Sequence, residues 1–156
     1  MSTASPKPLV LYVEDDGDTF RLAQLRLAQR YELVNAPNDV EASELLSKHG
    51  DALYAVLMDV ELQGSAMDGL SLVRSIRGMT QPGAPAYSRK IPVMPHLPII
   101  VMTAYVTRYS EPEVKALGAN HFLTKPIDFT RLSLALAQAN IQSVMARLAA
   151  RVSRPR

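Results

Sequence analysis

The chain has 156 residues, 47% of them apolar and 21% charged, a formal net charge of +2 and no cysteine. Ordinary apolar content with so small a net charge excludes disorder throughout, and the length suits one domain with a substantial core. Without cysteine there is no disulfide framework, no thiolate metal site and no cysteine nucleophile.

Apolar runs such as Pro98–Ala104 are far too short to span a bilayer. Residues 1–8 are small and polar, and the apolar stretch Leu9–Val13 is cut short by acids, so the start does not form a secretory signal. A soluble, cytoplasmic, single-domain protein is the expectation. Charge is placed unevenly: residues 1–128 carry 12 Lys/Arg against 15 Asp/Glu, whereas 129–156 carry five arginines and no acid. The basic end reads as a solvated helix terminus, because cations there favour the helix dipole. Without aromatic interleaving it argues against a nucleic-acid partner.

In chain order, a flexible lead over 1–8 precedes a first strand at Leu9–Val13. Phe20, Ala23 and Leu27 recur at helical spacing, with Leu22 and Leu25 widening the stripe. Asp16 or Asp18 caps that helix. A second strand is expected at Tyr31–Ala36, then a helix capped by Asn38 and ended by Gly50. A third strand at Leu53–Met58 precedes a short helix over Gly69–Arg77. Residues 78–97 hold Pro82, Pro85, Pro92 and Pro95 with two glycines, so no regular element is expected there. The segment should lie towards the amino ends of the strands, where it spares the chemistry; Tyr87 within it either packs locally or meets a partner. The fourth strand is placed at Pro98–Thr103, followed by a helix whose capping box is Ser110 and Glu113, with Pro112 in its first turn and Gly118 at its end. A fifth strand at Ala119–Leu123 leads to a last helix from about Asp128 towards Ala150, and 151–156 form a basic tail. That helix carries two apolar stripes on nearly opposite faces, one on Leu132, Ala135, Leu136 and Ala139, the other on Leu134, Ala137, Ile141, Val144, Met145 and Leu148. The runs Leu-Val-Leu-Tyr-Val and Ile-Ile-Val-Met lack polar alternation, as strands covered on both faces do. The pattern is α/β, a (βα)5 doubly wound parallel sheet in a three-layer sandwich, with the domain over 9–150.

In such a sheet, polar residues at the carboxyl ends of strands converge on one crevice. Glu14, Asp15 and Asp16 end the first strand, Asp59 the third and Thr103 the fourth, while Lys125 and Pro126 follow the fifth. Carboxylates gathered from neighbouring strand ends repel one another unless a hard cation lies between them, and Mg²⁺ (or Mn²⁺) takes such oxygen ligands. A hydroxyl and an ammonium beside that ion suit the oxygens of a transferred phosphoryl group. His49, His96 and His121 share no metal-ligand spacing.

Five segments in this order and strand context resemble the receiver domains of two-component response regulators. They are Val-Leu-Tyr-Val-Glu-Asp-Asp, Ala-Val-Leu-Met-Asp-Val, Met-Asp-Gly-Leu, Pro-Ile-Ile-Val-Met-Thr-Ala and Gly-Ala-Asn-His-Phe-Leu-Thr-Lys-Pro-Ile, within residues 9–144. The resemblance implies a flavodoxin-like fold with strand order 2-1-3-4-5. It implies Asp59 as phosphoacceptor, with Thr103 and Lys125 holding phosphoryl oxygens. The metal would be bound by Asp15, Asp59 and the backbone carbonyl of Glu61, with Glu14 acting through water. Phe122 and Thr103 would form the switch, and Glu61 and Tyr105 would tune the phosphoryl lifetime. The implied partners are a sensor histidine kinase or histidine phosphotransfer protein and a downstream protein target. A homodimer would use the fourth helix, fifth strand and fifth helix, or the second stripe of the last helix, which the residues themselves leave to be covered by self-association, by a partner or by the proline-rich insertion.

The sequence departs from the family in carrying Gln63, where a proline usually stands four residues after the phosphoacceptor, and in a loop from Asp59 to Gly69 two residues longer than usual. A receiver-shaped adaptor that never takes phosphate therefore remains an alternative. So does an aspartyl-nucleophile phosphohydrolase, since Asp15-Asp16-Gly17-Asp18-Thr19 resembles the first motif of haloacid-dehalogenase-like enzymes with its glycine and second aspartate in the wrong order. The expectation is a phosphorylatable, non-enzymatic receiver whose output is protein binding, as too little chain follows residue 150 for an output module.

Overall fold

The computed structural model describes residues 4–79 and 81–155; residues 1–3 of the lead, Thr80 of the proline-rich segment and Arg156 of the tail lie outside the described residues. Strands β1 (Leu9–Val13), β2 (Glu32–Ala36), β3 (Ala55–Asp59), β4 (Ile99–Thr103) and β5 (His121–Thr124) alternate with helices α1 (Gly17–Leu27), α2 (Asp39–His49), α3 (Gly69–Ile76), α4 (Glu111–Ala116) and α5 (Phe129–Val152). All strand pairs are parallel, in the order β2-β1-β3-β4-β5. The expected α/β doubly wound sheet is the fold observed.

Strand parity sorts the core into two slabs. Leu11, Val13, Val56, Met58, Ile99 and Val101 face one side, packing on α2, α3 and α4 through residues such as Leu46, Val73 and Val114. Val10, Tyr12, Leu57, Ile100 and Met102 face the other, against Ala23 and Leu27 of α1 and Leu132 and Leu136 of α5. Each fully buried aliphatic side chain contributes roughly 1.5–3 kcal/mol relative to exposure. The helices start where short polar side chains satisfy their orphan N–H groups. Asp16, Asn38, Asp68, Ser110 and Asp128 accept from the first-turn amides of α1 to α5 in turn.

The structure corrects several expectations. Leu22 and Leu25 are exposed and do not widen the buried stripe of α1, which rests on Ala23 and Leu27. Their helical spacing is real, but the narrow contact between α1 and the sheet leaves them outside it. The proline-rich segment is not wholly irregular: Ala86–Lys90 form a 3-10 helix immediately after Pro85, where the proline stands as its N-cap and breaks nothing. Nor does the segment keep to the amino ends of the strands. Gln81 bonds the Ser71 carbonyl and the Ser75 hydroxyl on α3, and the Tyr87 hydroxyl donates to Asp39 at the start of α2, which is the carboxyl edge of the sheet. Ile91, Met94 and Leu97 then plug into the core. Strand limits shift by one or two residues, and α5 runs two residues past Ala150.

Arg77, the C-cap residue of α3, fastens this returning segment. Its guanidinium donates to the carbonyls of Gly118, Met94 and Leu97 at 2.6–3.0 Å and to the Asn120 side chain at 3.3 Å. Burial pushes it down to about 10 from its usual value, so it stays charged at neutral pH. Arg77→Met keeps the length of the side chain and removes every donor, leaving buried carbonyls unpaired. We expect a loss of about 2–4 kcal/mol in urea unfolding. A loss under about 0.5 kcal/mol would show that water replaces the guanidinium without penalty.

Candidate phosphoacceptor site

The carboxyl ends of β1, β3 and β5 bring a charged cluster together. Glu14 continues β1 into the crevice and is almost wholly buried. Its carboxylate accepts from the Tyr12 hydroxyl (3.1 Å), the Asp16 amide (3.1 Å) and the Lys125 ammonium (2.5 Å). Lys125 Nζ also lies 3.2 Å from Asp59 Oδ2. Glu14, Asp15 and Asp59 each offer an oxygen, all within 4.8 Å of one another. Among the described residues no other trio of acids or histidines is so disposed, and the three histidines stand apart from it.

One ammonium faces three carboxylates, and the shortfall in positive charge shows in the titration of the cluster. Burial first, and the Glu14 charge second, push Asp59 up to about 7. Burial alone would lower Lys125, but its bonds to Glu14 and Asp59 outweigh that and raise it. Tyr12 is raised by burial and by Glu14, which keeps its hydroxyl a donor. An all-oxygen donor set with excess negative charge is what a hard divalent cation requires.

Thr103 is fully buried at the end of β4, its hydroxyl accepting from the Tyr105 amide at 3.0 Å, and its carbonyl accepts from the Lys125 amide at 2.9 Å. The four expected residues Asp15, Asp59, Thr103 and Lys125 thus all lie along one edge of the sheet. Phe122 is half-buried against the core beside α4 and lines a cavity of about 450 Å³ with Val106, Tyr109 and Arg131. Glu61 and Tyr105 are both exposed in part and share a neighbour that the sequence did not single out: Arg108 lies 3.4 Å from the Glu61 carboxylate and 5.0 Å over the Tyr105 ring.

The loop from β3 to α3 is held from two sides. The Gln63 amide donates to Asp15 Oδ2 at 3.0 Å, a bond that a proline at this position could not make. Asp39, buried at the head of α2, accepts from the Met67 amide at 2.9 Å and from Tyr87, while its own amide donates to the Ser65 hydroxyl. Burial alone would raise the Asp39 carboxyl, yet the bonds from Tyr87, Met67 and Ser65 hold it below its usual value. Asp39 escaped the sequence reading because it looks like an ordinary first-turn acid. At the loop's end, a Cβ on Gly69 would sit 1.9 Å from the Asp59 carbonyl oxygen, so only glycine lets α3 begin this close to β3.

The raised Asp59 value has a sign. A folded-state carboxyl that titrates near 7, rather than 3.8, binds its proton more tightly than the unfolded chain does. Folded stability therefore falls as pH rises from about 4 to about 7, by at most about 4 kcal/mol. In chelator-containing buffer, Asp59→Asn should be more stable than wild type at pH 8, and the gap should narrow towards pH 5. Urea unfolding of both proteins at the two pH values measures it, and a gap independent of pH would contradict the raised value.

The comparisons agree with this geometry. Residues 10–137 match the family model described as the response regulator receiver domain. A 14.6 kDa protein from the sodA1 3′ region of Leptolyngbya boryana is 32% identical over 120 residues, 76% of this chain and 79% of that one. The polar-differentiation response regulator DivK of Brucella anthropi is 26% identical over 78% of this chain and 87% of its own length. The chain spans only about a quarter of others, such as the transcriptional regulatory protein ZraR of Klebsiella oxytoca (28% identical, 83% of this chain, 26% of that one). Among solved structures, the receiver domain of NtrX from Brucella abortus is 26% identical with a TM-score of 0.66, over 84% of this chain and 97% of that one. A receiver domain from Clostridium thermocellum has a TM-score of 0.74 at 17% identity, over 89% and 98% of the two chains, and speaks for the fold alone. No helix among the described residues is long and apolar enough to cross a membrane. Five parallel strands in the order 2-1-3-4-5, acids at the tips of the first and third, and a lysine after the fifth make this chain a member of the response regulator receiver family of two-component signalling.

Proposed function

We propose that Asp59 accepts a phosphoryl group from the phosphohistidine of a sensor kinase or histidine phosphotransfer protein. The observation that carries this reading is the Lys125 ammonium, seated within 3.2 Å of both Glu14 and Asp59 at the crossing of three strand ends. An Asp59 oxygen attacks phosphorus, the P–N bond breaks, and the imidazole nitrogen leaves with the electron pair. Lys125 takes one phosphoryl oxygen as a compact point charge, and the Thr103 hydroxyl donates to another. Asp15, Asp59 and the Glu61 carbonyl would hold Mg²⁺ or Mn²⁺, with Glu14 acting through water. A divalent ion bound there supplies the positive charge that keeps Asp59 ionised and offsets the incoming phosphoryl oxygens.

The acyl phosphate that forms is an anhydride, so water releases it in time. Glu61 and Tyr105, bridged by Arg108, flank the approach of that water and set its access. The Thr103 hydroxyl now accepts from the Tyr105 amide; turning towards a phosphoryl oxygen, it vacates space into which Phe122 moves from the neighbouring cavity. The face of α4, β5 and α5 then presents a different surface to a downstream protein, which is the output. The Asp59–Gly69 loop is anchored at Gln63 and Met67 despite its added length, which favours an active receiver over a silent adaptor.

Acetyl phosphate with Mg²⁺ should add one phosphoryl group to the intact mass of the wild type and none to Asp59→Asn. Chelation of the metal should abolish labelling, and Lys125→Ala should slow it by about a hundredfold or more, the range for loss of one charged group at a transition state. Continuous turnover of phosphate monoesters would instead favour the phosphohydrolase reading.

A further inference from the structure

The last helix carries a feature that the phosphoacceptor chemistry does not use. One face of α5 is fixed against the sheet by Leu132, Leu136 and Ala139, with Ser143 the last buried residue. From Val144 to Val152 every residue is exposed. On the opposite face Leu134, Ala137, Ile141, Val144 and Leu148 follow one another at alternating steps of three and four, all exposed; Ile141 and Leu148 are 62% and 50% open. That is the a/d spacing of a helix-pairing seam, held over two heptads from Leu134 to Leu148. Met145 and Val152, 62% and 86% open, widen it on one side. As far as Ser143 the opposite face is fixed in the core, so that part of the helix cannot roll to lie flat in a lipid interface.

Charge selects the occupant. Arg147 and Arg154 fall at positions flanking the seam, and Arg151 takes the next d position after Val144. Together with His96 and Ala150 these arginines line a groove of about 300 Å³ beside the seam. No acid stands anywhere from 129 to 156. A second copy paired in parallel would set Arg151 against its own counterpart, and an antiparallel pair would bring Arg131 beside Arg154; the acids beside this face, Asp128 at 4.0 Å from Arg131 and Asp51 at 3.9 Å from Arg147, leave arginine in excess at its carboxyl end. We propose that the outer face of α5 from Leu134 to Val152 is a docking seam for an acidic amphipathic helix of a partner protein, with aliphatic residues in the seam and carboxylates in the arginine groove. This surface stands independently of the phosphoacceptor reading.

The test uses the full chain and two fluorescein-labelled synthetic peptides of three heptads, each with leucine at a and d, one with glutamate and the other with lysine at e and g. Fluorescence anisotropy should show the acidic peptide binding at least about tenfold more tightly than the basic one, with the preference shrinking as salt rises. Ile141→Asp with Leu148→Asp should abolish binding while far-ultraviolet circular dichroism stays unchanged, since both side chains point away from the core. Arg147→Glu with Arg151→Glu should reverse the preference. Equal binding of the two peptides overturns the proposal. So does a dimer in analytical ultracentrifugation that the Ile141→Asp change dissociates, which makes a second copy the occupant. Binding of phosphatidylserine vesicles lost on the same change also overturns it, making the occupant a lipid surface.

Discussion

Everything at the functional edge depends on keeping two nearly buried carboxylates and one ammonium in contact at the tips of separate strands. Glu14, Asp59 and Lys125 are far apart in sequence and meet only because β1 lies between β2 and β3, and β5 follows β4 at the edge. Burying such charges is unfavourable unless each is paired and hydrogen-bonded. Glu14 is accordingly the most fully satisfied group of the cluster, with a phenol, an amide and an ammonium on its two oxygens. Asp59 receives less, and so it is Asp59 whose ionisation is left poised. The fold spends its hydrogen bonds on holding the frame and leaves Asp59 under-compensated, the condition expected of a functional carboxylate.

The loop behind Asp59 must hold still for the same reason. Its two anchors are carboxylates from different elements: Asp15 on the Gln63 amide and Asp39 on the Met67 amide. Asp39 is itself fixed by Tyr87 from the proline-rich segment, so this chain's insertion acts as a brace reaching from α3 over α2 to the edge that carries the chemistry. Gly69 closes the arrangement by letting α3 start against the backbone of Asp59. The loop from Asp59 to Gly69 is thus tethered at two points within it, Gln63 and Met67, and at its end by Gly69.

Much of this was legible in the sequence. Unalternating strands, caps at Asn38 and Ser110, and acids placed at strand ends lead directly to a doubly wound sheet with a charged crevice. Those signals are local and each follows from one physical rule. What stayed hidden depends on tertiary contact. Asp39 and Arg77 resemble surface helix-terminus residues until the returning segment lies over them, and no spacing in the sequence indicates that Tyr87 finds a carboxylate. Leu22 and Leu25 mislead for the opposite reason: helical periodicity marks a stripe, yet how much of it the sheet covers is decided by tertiary contact, which here reaches only Ala23 and Leu27. Arg108 was invisible because its partners Glu61 and Tyr105 come from two different loops.

The two ends of α5 face different tasks. The helix, capped by Asp128, begins at Phe129, shortly after Lys125 and Pro126, and at about 1.5 Å per residue its 24 residues run about 36 Å. A five-stranded sheet of strands four or five residues long is less than about half that depth, so the helix passes the whole sheet and continues beyond its amino edge. The acidic crevice and the arginine-flanked overhang therefore lie at opposite poles of the molecule. A kinase presenting a phosphohistidine to Asp59 and a helix seated on the overhang would not compete for space. Opposite charge at the poles also orients the approach of each: an anionic helix is repelled from the carboxylate edge and drawn to the far one. Because α5 is one continuous helix packed on the sheet through Leu132 and Leu136, the overhang is carried by the same sheet whose opposite edge holds Asp59 and Thr103.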